Sequence, residues 1–314
     1  MTAGGAATST SDFHVNQAGA FARGLAFEQA LAQTWPCSED TNDQRRFVAM
    51  NRTLSALLLV LVALVALLCS GGTAAADPSV TVVMSGLDNP RGLAFGPQGA
   101  LYVAEAGRGD IGEGDGPCFG SGPSQVCYGA TGAVSRLWQG EQTRVATGLP
   151  SYANAAGRAQ GPNDISMLGA GRADVTIGLE TDPRLRDQLA AADPVWAGFG
   201  RVVQVSAGGQ WRFVADLGSF EEQANPDFPR TVDSDPYGLL AIPGGDLVAD
   251  AGGNDLVRVD ANGDVSLVTV LPPVPQATDK NPVPTAVVRG PDGALNVTNH
   301  GHSVVGGQVL RLEP

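Results

Sequence analysis

Four side chains with oxygen atoms lie near the ends of a hairpin that recurs along the chain. Glu105, Asp250 and Asn299 each close the second strand of a predicted hairpin, while Asn163 lies at the start of another. Calcium takes six to eight oxygen ligands, so this set predicts a calcium site. The alternative is that these are turn residues, with the Asp250 carboxylate bonded to the neighbouring backbone.

The chain offers two candidate catalytic residues, His300 and His302, without a motif that supports them. A histidine near a carboxylate can act as a general base, and two histidines two residues apart can share a metal. Exposed loop histidines without any chemistry fit the same pattern. The sequence contains no Gly-x-Ser-x-Gly elbow, zinc-binding helix motif or phosphate-binding loop. We therefore expect a binding protein rather than an enzyme.

These residues must be positioned by a repeated hairpin, whose first copy begins Pro-x-Gly-Leu-Ala. Each copy contains two short apolar strands joined by a tight turn with glycine. The four copies span residues 90–107, 162–178, 236–252 and 284–301. A two-stranded hairpin cannot bury its own apolar face, so similar units must pack on each other. The repeat predicts an all-β chain folded as a β-propeller.

Further strands follow each hairpin and complete four-stranded blades. Two more strands follow each of the first three hairpins, but only residues 307–312 follow the last one. A strand at residues 79–85, before the first hairpin, could complete the last blade and remove its open edge. We therefore expect four blades, with the N- and C-terminal strands paired in one of them.

The connections between strands differ in length, and the long ones fall on one face of such a propeller. They span residues 106–131, 149–162, 179–199, 217–236 and 271–283. Long loops on a rigid scaffold are where binding concentrates, so we expect function at this long-loop face. One connection is predicted to hold a helix that ends at Ala191, with Asp182 as its N-cap and Pro183 at its first position. This helix could lie over the ring entrance.

The N-terminal part of the chain predicts export. An uncharged apolar run at 54–68, followed by an Ala-x-Ala sequence, is typical of a secretory signal peptide at residues 50–76. Residues 1–49 are then a non-structural upstream extension, and residues 77–314 form a secreted or periplasmic bacterial domain. An uncleaved membrane anchor is the alternative, although a span needs about 20 apolar residues.

Two of the four cysteines, Cys118 and Cys127, lie in this predicted domain. In an exported chain, two cysteines so close in sequence predict a disulfide bond. A metal site is the alternative, but no second pair of Cys or His residues lies nearby, which disfavours zinc.

The charge of the chain restricts its partners. Asp and Glu outnumber Lys and Arg by 32 to 19, which gives a net charge of −13. Nucleic acids and anionic membranes repel such a chain, so we expect neither as a partner. A cation, a small molecule of unknown identity or another protein stays open.

Five stretches of the domain carry a family resemblance. They are residues 86–97, 102–107, 116–129 with both cysteines, 198–201 and 233–240. Through them the chain resembles the ScyD/ScyE family of exported bacterial β-propeller proteins, which are related to NHL-type repeats. The resemblance implies six blades, so this chain looks shortened by about two blades. It implies no catalytic residues.

Three functions are consistent with these observations. The first is an exported propeller that binds a ligand or protein through its long-loop face. The second is a calcium-dependent propeller hydrolase, such as a lactonase, which would depend on calcium for stability. The third is a quinone-dependent sugar dehydrogenase, which needs a basic pocket for its cofactor, with Arg91 and Arg201 as candidates.

Overall fold

The computed structural model of the chain describes residues 79–111, 114–169, 172–275, 281–301 and 306–313. The chain from Val80 to Pro314 forms one compact unit. The predicted upstream extension at 1–49 and the signal peptide at 50–76 lie outside the described residues. No helix within the described ranges is long and apolar enough to cross a membrane.

Seventeen strands of the described residues form four antiparallel sheets, which we call blades 1 to 4 in chain order. Blade 1 contains β1 (Pro90–Phe95), β2 (Leu101–Glu105), β3 (Cys118–Phe119), β4 (Val126–Trp138), β5 (Glu141–Asn154) and β6 (Ala159–Gln160). Blade 2 contains β7 (Pro162–Met167), β8 (Arg172–Ile177), β9 (Arg201–Ser206) and β10 (Trp211–Asp216). Blade 3 contains β11 (Pro236–Ile242), β12 (Gly245–Asp250), β13 (Asp255–Asp260) and β14 (Val265–Val270). Blade 4 contains β15 (Pro284–Arg289), β16 (Leu295–Asn299) and β17 (Gln308–Leu312).

Two α-helices lie in long connections of blade 2. Helix α1 (Pro183–Ala192) is the predicted helix, and the Asp182 carboxylate accepts a hydrogen bond from the Arg184 backbone N–H at 2.9 Å, as an N-cap does. Helix α2 (Leu217–Ala224) follows β10 directly, with Asp216 as its N-cap. The sequence pattern does not predict this second helix.

The pairing register confirms that the four hairpins are equivalent. In each hairpin, the proline that opens the first strand pairs with the residue that closes the second strand. These pairs are Pro90 with Glu105, Pro162 with Ile177, Pro236 with Asp250, and Pro284 with Asn299. The residues that the sequence places at equivalent positions therefore occupy equivalent positions in the blades.

The glycine of the repeated phrase is needed where the first strands of adjacent blades approach each other. A Cβ at Gly92 would lie 2.1 Å from Asp164 Oδ1 in β7, and a Cβ at Gly238 would lie 2.6 Å from Ala286 Cα in β15. In blade 2 the equivalent residue is Asp164, which accepts a hydrogen bond from the Leu239 backbone N–H of blade 3 at 2.8 Å. The first strands therefore form an inner layer in which each blade contacts the next.

Apolar clusters fill the space between adjacent blades. Val175 is completely buried between blades 1 and 2, Val248 between blades 2 and 3, and Leu256 between blades 3 and 4. Full burial of one such side chain contributes about 1.5–3 kcal/mol. Packing between blades therefore stabilises the scaffold that carries the long connections.

The predicted pairing of residues 79–85 with 307–312 is not present in the structure. Residues 79–85 form no strand, and blade 4 has three strands. The Ser85 backbone N–H instead donates to Gln142 Oε1 on β5 at 3.1 Å, and Gln142 Nε2 donates to the Ser85 carbonyl at 2.8 Å. These two bonds hold the end of the N-terminal segment on blade 1.

Two predicted loops of blade 1 are partly strands. Strand β4 begins at Val126 and β5 continues to Asn154, so the two strands extend well beyond the core of the blade. Short strand β3 pairs with the start of β4. The strand parts of the long connections, at 118–119, 126–131, 149–154 and 159–160, therefore form a β-sheet arm.

Candidate functional site

A cavity of about 340 Å³ opens where the long connections of blades 1 and 2 meet. Its walls come from the β-sheet arm, the segment after β8, helix α1 and the turn before β9. The apolar lining residues are Phe119, Pro123, Val126, Tyr152, Ala159, Leu179, Leu185, Leu189, Trp196 and Phe199. A volume of this size, lined mainly by apolar side chains, is typical of a site for a small molecule.

One wall of the cavity is a cluster of aromatic rings. Phe199 is completely buried at its centre, with the ring of Tyr152 at 5.0 Å, that of Trp196 at 6.0 Å and that of Tyr128 at 6.2 Å between centroids. The Tyr152 hydroxyl donates to the Leu179 carbonyl at 2.6 Å, and burial raises the pKa of this phenol. The faces and edges of these uncharged rings are therefore available to a ligand, and the packing of the rings on one another holds them in place.

Polar groups line the rest of the cavity. Arg158 forms an ion pair with Glu180, whose other carboxylate oxygen accepts a hydrogen bond from Gln160 Nε2 at 2.9 Å. The Arg158 side chain is 71% exposed and that of Glu180 is 39% exposed, which places the pair at the mouth of the cavity. The cavity thus has an apolar interior and a rim that carries both charges.

Helix α1 forms a fixed wall of this cavity. Arg186 of α1 is only 2% exposed, and its guanidinium donates to the Phe199 carbonyl at 3.1 Å and to Asp216 at 2.7 Å. Leu185 and Leu189 on the same helix face the cavity. Helix α1 is therefore bonded to the turn before β9.

The predicted disulfide between Cys118 and Cys127 is confirmed, and it joins β3 to β4. The loop closed by this disulfide contributes Phe119, Pro123 and Val126 to the cavity lining. The covalent bond therefore restrains one wall of the cavity.

Glu105, one of the four predicted calcium ligands, is fully occupied by protein groups. Its carboxylate accepts hydrogen bonds from the Ser135 hydroxyl at 2.6 Å and the Asp88 backbone N–H at 2.6 Å, and pairs with Arg144 at 2.7 Å. Burial raises the pKa of Glu105, but the hydrogen bonds from Arg144, Ser135 and Asp88 lower it more, so the pKa lies below its usual range. Glu105 is therefore a charged residue with a structural partner.

Asp250 shows the side-chain-to-backbone bonding that the sequence left open as an alternative. Its carboxylate accepts hydrogen bonds from the backbone N–H groups of Asp235 at 2.6 Å, Gly252 at 3.0 Å and Gly253 at 3.0 Å. The Ser234 hydroxyl donates to its other oxygen at 2.7 Å. Asp250 thus shapes the loop between β12 and β13.

The two predicted asparagine ligands lie in different settings. Asn163 donates to the Pro236 carbonyl at 3.0 Å and accepts from Arg91, whereas Asn299 donates to the Pro272 carbonyl at 3.4 Å. Asn163 also donates to the Asp235 carboxylate at 3.4 Å, and the Asp235 backbone N–H donates to Asp250, so these two predicted ligands share a neighbour, whereas Glu105 and Asn299 bond to other groups. Among the described residues, no group of three or more His, Cys, Asp or Glu side chains is arranged to hold a metal ion.

His300 is exposed at the end of β16, and its ring has no hydrogen-bond partner among the described residues. Its backbone N–H donates to the Val283 carbonyl at 3.0 Å. His302, the second candidate catalytic residue, lies outside the described residues.

Sequence reasoning missed a cluster of buried carboxylates around Gly253. A Cβ at Gly253 would lie 3.2 Å from Glu221 Oε2 and 3.5 Å from Asp255 Oδ1. Asp255 is 1% exposed, and neither of its carboxylate oxygens has a hydrogen-bond partner among the described residues. Burial, followed by the charges of Asp250 and Asp227, raises the pKa of Glu221 to about 8. The cluster depends on α2, the helix that the sequence pattern does not predict.

Comparison with known proteins gives distant likenesses. No known protein family and no curated protein matches the chain. It is similar to a catalytically inactive virginiamycin B lyase from Staphylococcus aureus with quinupristin (13% identity over 74% of this chain and 58% of that chain, TM-score 0.36). It is also similar to a luciferin-regenerating enzyme (17% identity over 78% of this chain and 69% of that chain, TM-score 0.44). A gluconolactonase from Xanthomonas campestris is similar at 15% identity over 74% of this chain and 64% of that chain, with a TM-score of 0.40.

The chain spans 58% of the length of the lyase and 64% of that of the gluconolactonase. At these identities and TM-scores, the likenesses assign neither an activity nor a substrate to the chain. Its function has to be argued from its own cavity and side chains.

Proposed function

We propose that the chain is an exported binding protein that holds a small amphipathic molecule in the cavity on its long-loop face. The observation that carries this proposal is the cavity of about 340 Å³, with an aromatic wall and a charged rim. Apolar pockets with a few polar groups are the usual form of small-molecule sites. The disulfide and the predicted signal peptide support an exported location.

The lining indicates the chemical class of the ligand. The aromatic wall suits a planar or alicyclic ring system, because the hydroxyl of Tyr152, the tyrosine that lines the cavity, is already bonded to the Leu179 carbonyl. An exposed ion pair contributes about 0–1 kcal/mol to stability. The ion pair between Arg158 and Glu180 can therefore break at little cost, and each side chain can bind a polar group of the ligand instead. The expected ligand therefore has a ring body and a charged or hydroxylated end.

A dye titration tests whether the cavity binds such molecules. Anilinonaphthalene sulfonate, an anionic aromatic dye, is the probe, and Leu189→Trp fills the cavity with a larger side chain. We expect this variant to bind the dye at least about tenfold more weakly than the parent, a loss of about 1.4 kcal/mol. Leu168→Trp, at an exposed turn, is the matched control and should bind like the parent. Equal affinity of the parent and Leu189→Trp would exclude the cavity as the site.

A calcium-dependent hydrolase is the second candidate function. The observation that favours it is the unpartnered carboxylate of Asp255 near Glu221 and Asp250, although these described side chains are not grouped as a metal site, so calcium would have to draw them together. Calcium bound only to the folded state would stabilise it by about 2.7 kcal/mol at a hundredfold excess over Kd. Asp255→Asn should abolish this gain, whereas Asp264→Asn, at an exposed position before β14, should keep it. A melting temperature that responds to neither calcium nor chelator would remove this candidate.

No observation favours the quinone-dependent dehydrogenase. Arg91 donates to Gln160 at 3.2 Å and to Asn163, and Arg201 forms an ion pair with Asp216 at 2.7 Å. The two arginines that were candidates for binding an anionic cofactor are therefore engaged with protein groups.

A further inference from the structure

The last blade has an open edge. Blade 4 contains three strands, whereas blades 2 and 3 contain four each. Among the described residues, β17 pairs with β16 on one side only, and Val309 on β17 is 69% exposed. The outer N–H and C=O groups of such a strand are a template for one more strand.

The segment before blade 1 is a strand-like sequence that belongs to no sheet. Residues 79–84 read Ser-Val-Thr-Val-Val-Met, and β-branched residues of this kind favour strands. Val80 is 97% exposed, Val82 is 80% exposed and Val83 is 60% exposed. The segment therefore presents three apolar side chains to solvent within four residues.

The base of this segment is held on blade 1. Ser85 and Gln142 exchange two hydrogen bonds, at 3.1 Å and 2.8 Å, and Arg144 donates to the Gly86 carbonyl at 3.3 Å. These bonds hold the start of the free segment beside β5, while the open edge belongs to blade 4. In the structure this segment pairs with no strand, so blade 4 of the same chain keeps its open edge.

We propose that two copies of this chain exchange these segments, so that residues 79–84 of one copy add to β17 of the other as a fourth strand. Each copy has one spare strand and lacks one strand, which makes a second copy the matching partner. The added strand would pair the backbone groups at the edge and cover exposed valines of both copies. Because both copies give and receive the same element, the exchange closes with two copies.

The oligomeric state tests this proposal, independently of the ligand cavity. Light scattering of the exported protein should show a dimer. Val82→Pro should shift it to a monomer, because proline cannot donate a hydrogen bond to a neighbouring strand. Val82→Thr, which keeps the β-branched shape and the N–H, should remain a dimer. A monomeric parent, or a Val82→Pro variant that is still a dimer, would overturn the proposal.

Cross-linking distinguishes exchange between copies from closure within one copy. Val82→Cys is combined with Val309→Cys, and in a second protein with Arg311→Cys, two residues further along β17. Under oxidation, at least one pair should give a product of twice the chain mass in which peptide mapping joins the two positions. A bond confined to one chain would show closure within a copy, and a dimer without either bond would show another interface; both results overturn the proposal.

Discussion

At the residue scale, the acidic side chain that closes a second strand binds the backbone that leads into the same hairpin. Glu105 accepts the Asp88 N–H and Asp250 accepts the Asp235 N–H, both at 2.6 Å. The two acids occupy equivalent positions in blades 1 and 3. The acid at this position therefore has a structural role in fixing how the chain enters blades 1 and 3.

The repeated glycine leads to a prediction about stability. Gly92→Ala should destabilise the domain by about 2–4 kcal/mol, because the new Cβ would lie 2.1 Å from Asp164 Oδ1 and 2.6 Å from Asp164 Cα. Gly208→Ala is the matched control, since its Cβ would meet only Ser206 Oγ at 3.9 Å, and it should change stability by less than about 0.5 kcal/mol. Urea unfolding measures both changes. Equal losses in the two variants would show that the close approach of β1 and β7 is not the cause.

The sequence predicts the positions of such residues better than their roles. The repeat phrase identified Glu105 and Asp250 as equivalent, which the pairing register confirms. It could not show that Arg144 neutralises Glu105, because β-sheet pairing brings together residues far apart in sequence. A free carboxylate and a paired one look the same in the sequence.

At the scale of elements, α2 turns a long connection into an acidic site. It places Glu221 beside the loop between β12 and β13, where Asp250 and Asp255 already lie. Burial raises the pKa of each of these three carboxyl groups. At a pH where these carboxyl groups ionise, their burial and mutual repulsion lower the free energy of unfolding.

The cluster leads to a prediction about pH. The pKa of Glu221 is about 8 in the folded state, whereas its ordinary value is 4.5. Between pH 4.5 and about 8, the folded state therefore keeps a proton on Glu221 that the unfolded state has lost. Stability should therefore fall as the pH rises from about 4.5 to about 8. Glu221→Gln has no proton to lose and should reduce this fall, by at most about 5 kcal/mol at about 1.4 kcal/mol per pKa unit.

Urea unfolding of Glu221→Gln across this pH range measures the effect. Glu222→Gln is the matched control, because the neighbouring Glu222 is exposed, and it should keep the pH dependence of the parent. If Glu221→Gln also keeps the full fall, the buried carboxyl group does not cause it.

The two helices show why elements differ in how well they can be predicted. Asp182 and Pro183 mark the start of α1 with a cap and a helix-starting proline. Helix α2 has no such proline, and its N-cap Asp216 is also the last residue of β10. The start of α2 therefore coincides with the end of a strand and carries no separate signal in the sequence. For this reason the sequence did not predict the acidic cluster that depends on α2.

At the scale of the whole molecule, packing of the blades brings distant connections together. Phe119, Tyr152, Leu189 and Phe199 come from four separate parts of the chain and line one cavity. The asymmetry of loop lengths predicted a functional face, but the cavity depends on the extended β4–β5 arm and on α1 bonded to blade 2. The missing strand of blade 4 was predicted from the repeat, but only the strand pairing shows that residues 79–85 do not supply it.

Energy transfer from Trp196 to bound anilinonaphthalene sulfonate tests ligand binding in the cavity most directly. Tryptophan emission overlaps the absorption of this dye, so a dye in the cavity should be excited efficiently through the wall residue Trp196. Trp211 packs against the same core cluster and would also excite the dye, so both variants are made in a Trp211→Phe background. There Trp196→Phe should lose most of the sensitised dye emission, while Trp138→Phe, at the far end of β4, should keep most of it. Undiminished transfer in Trp196→Phe, at equal dye occupancy, would contradict a binding site in the aromatic cavity.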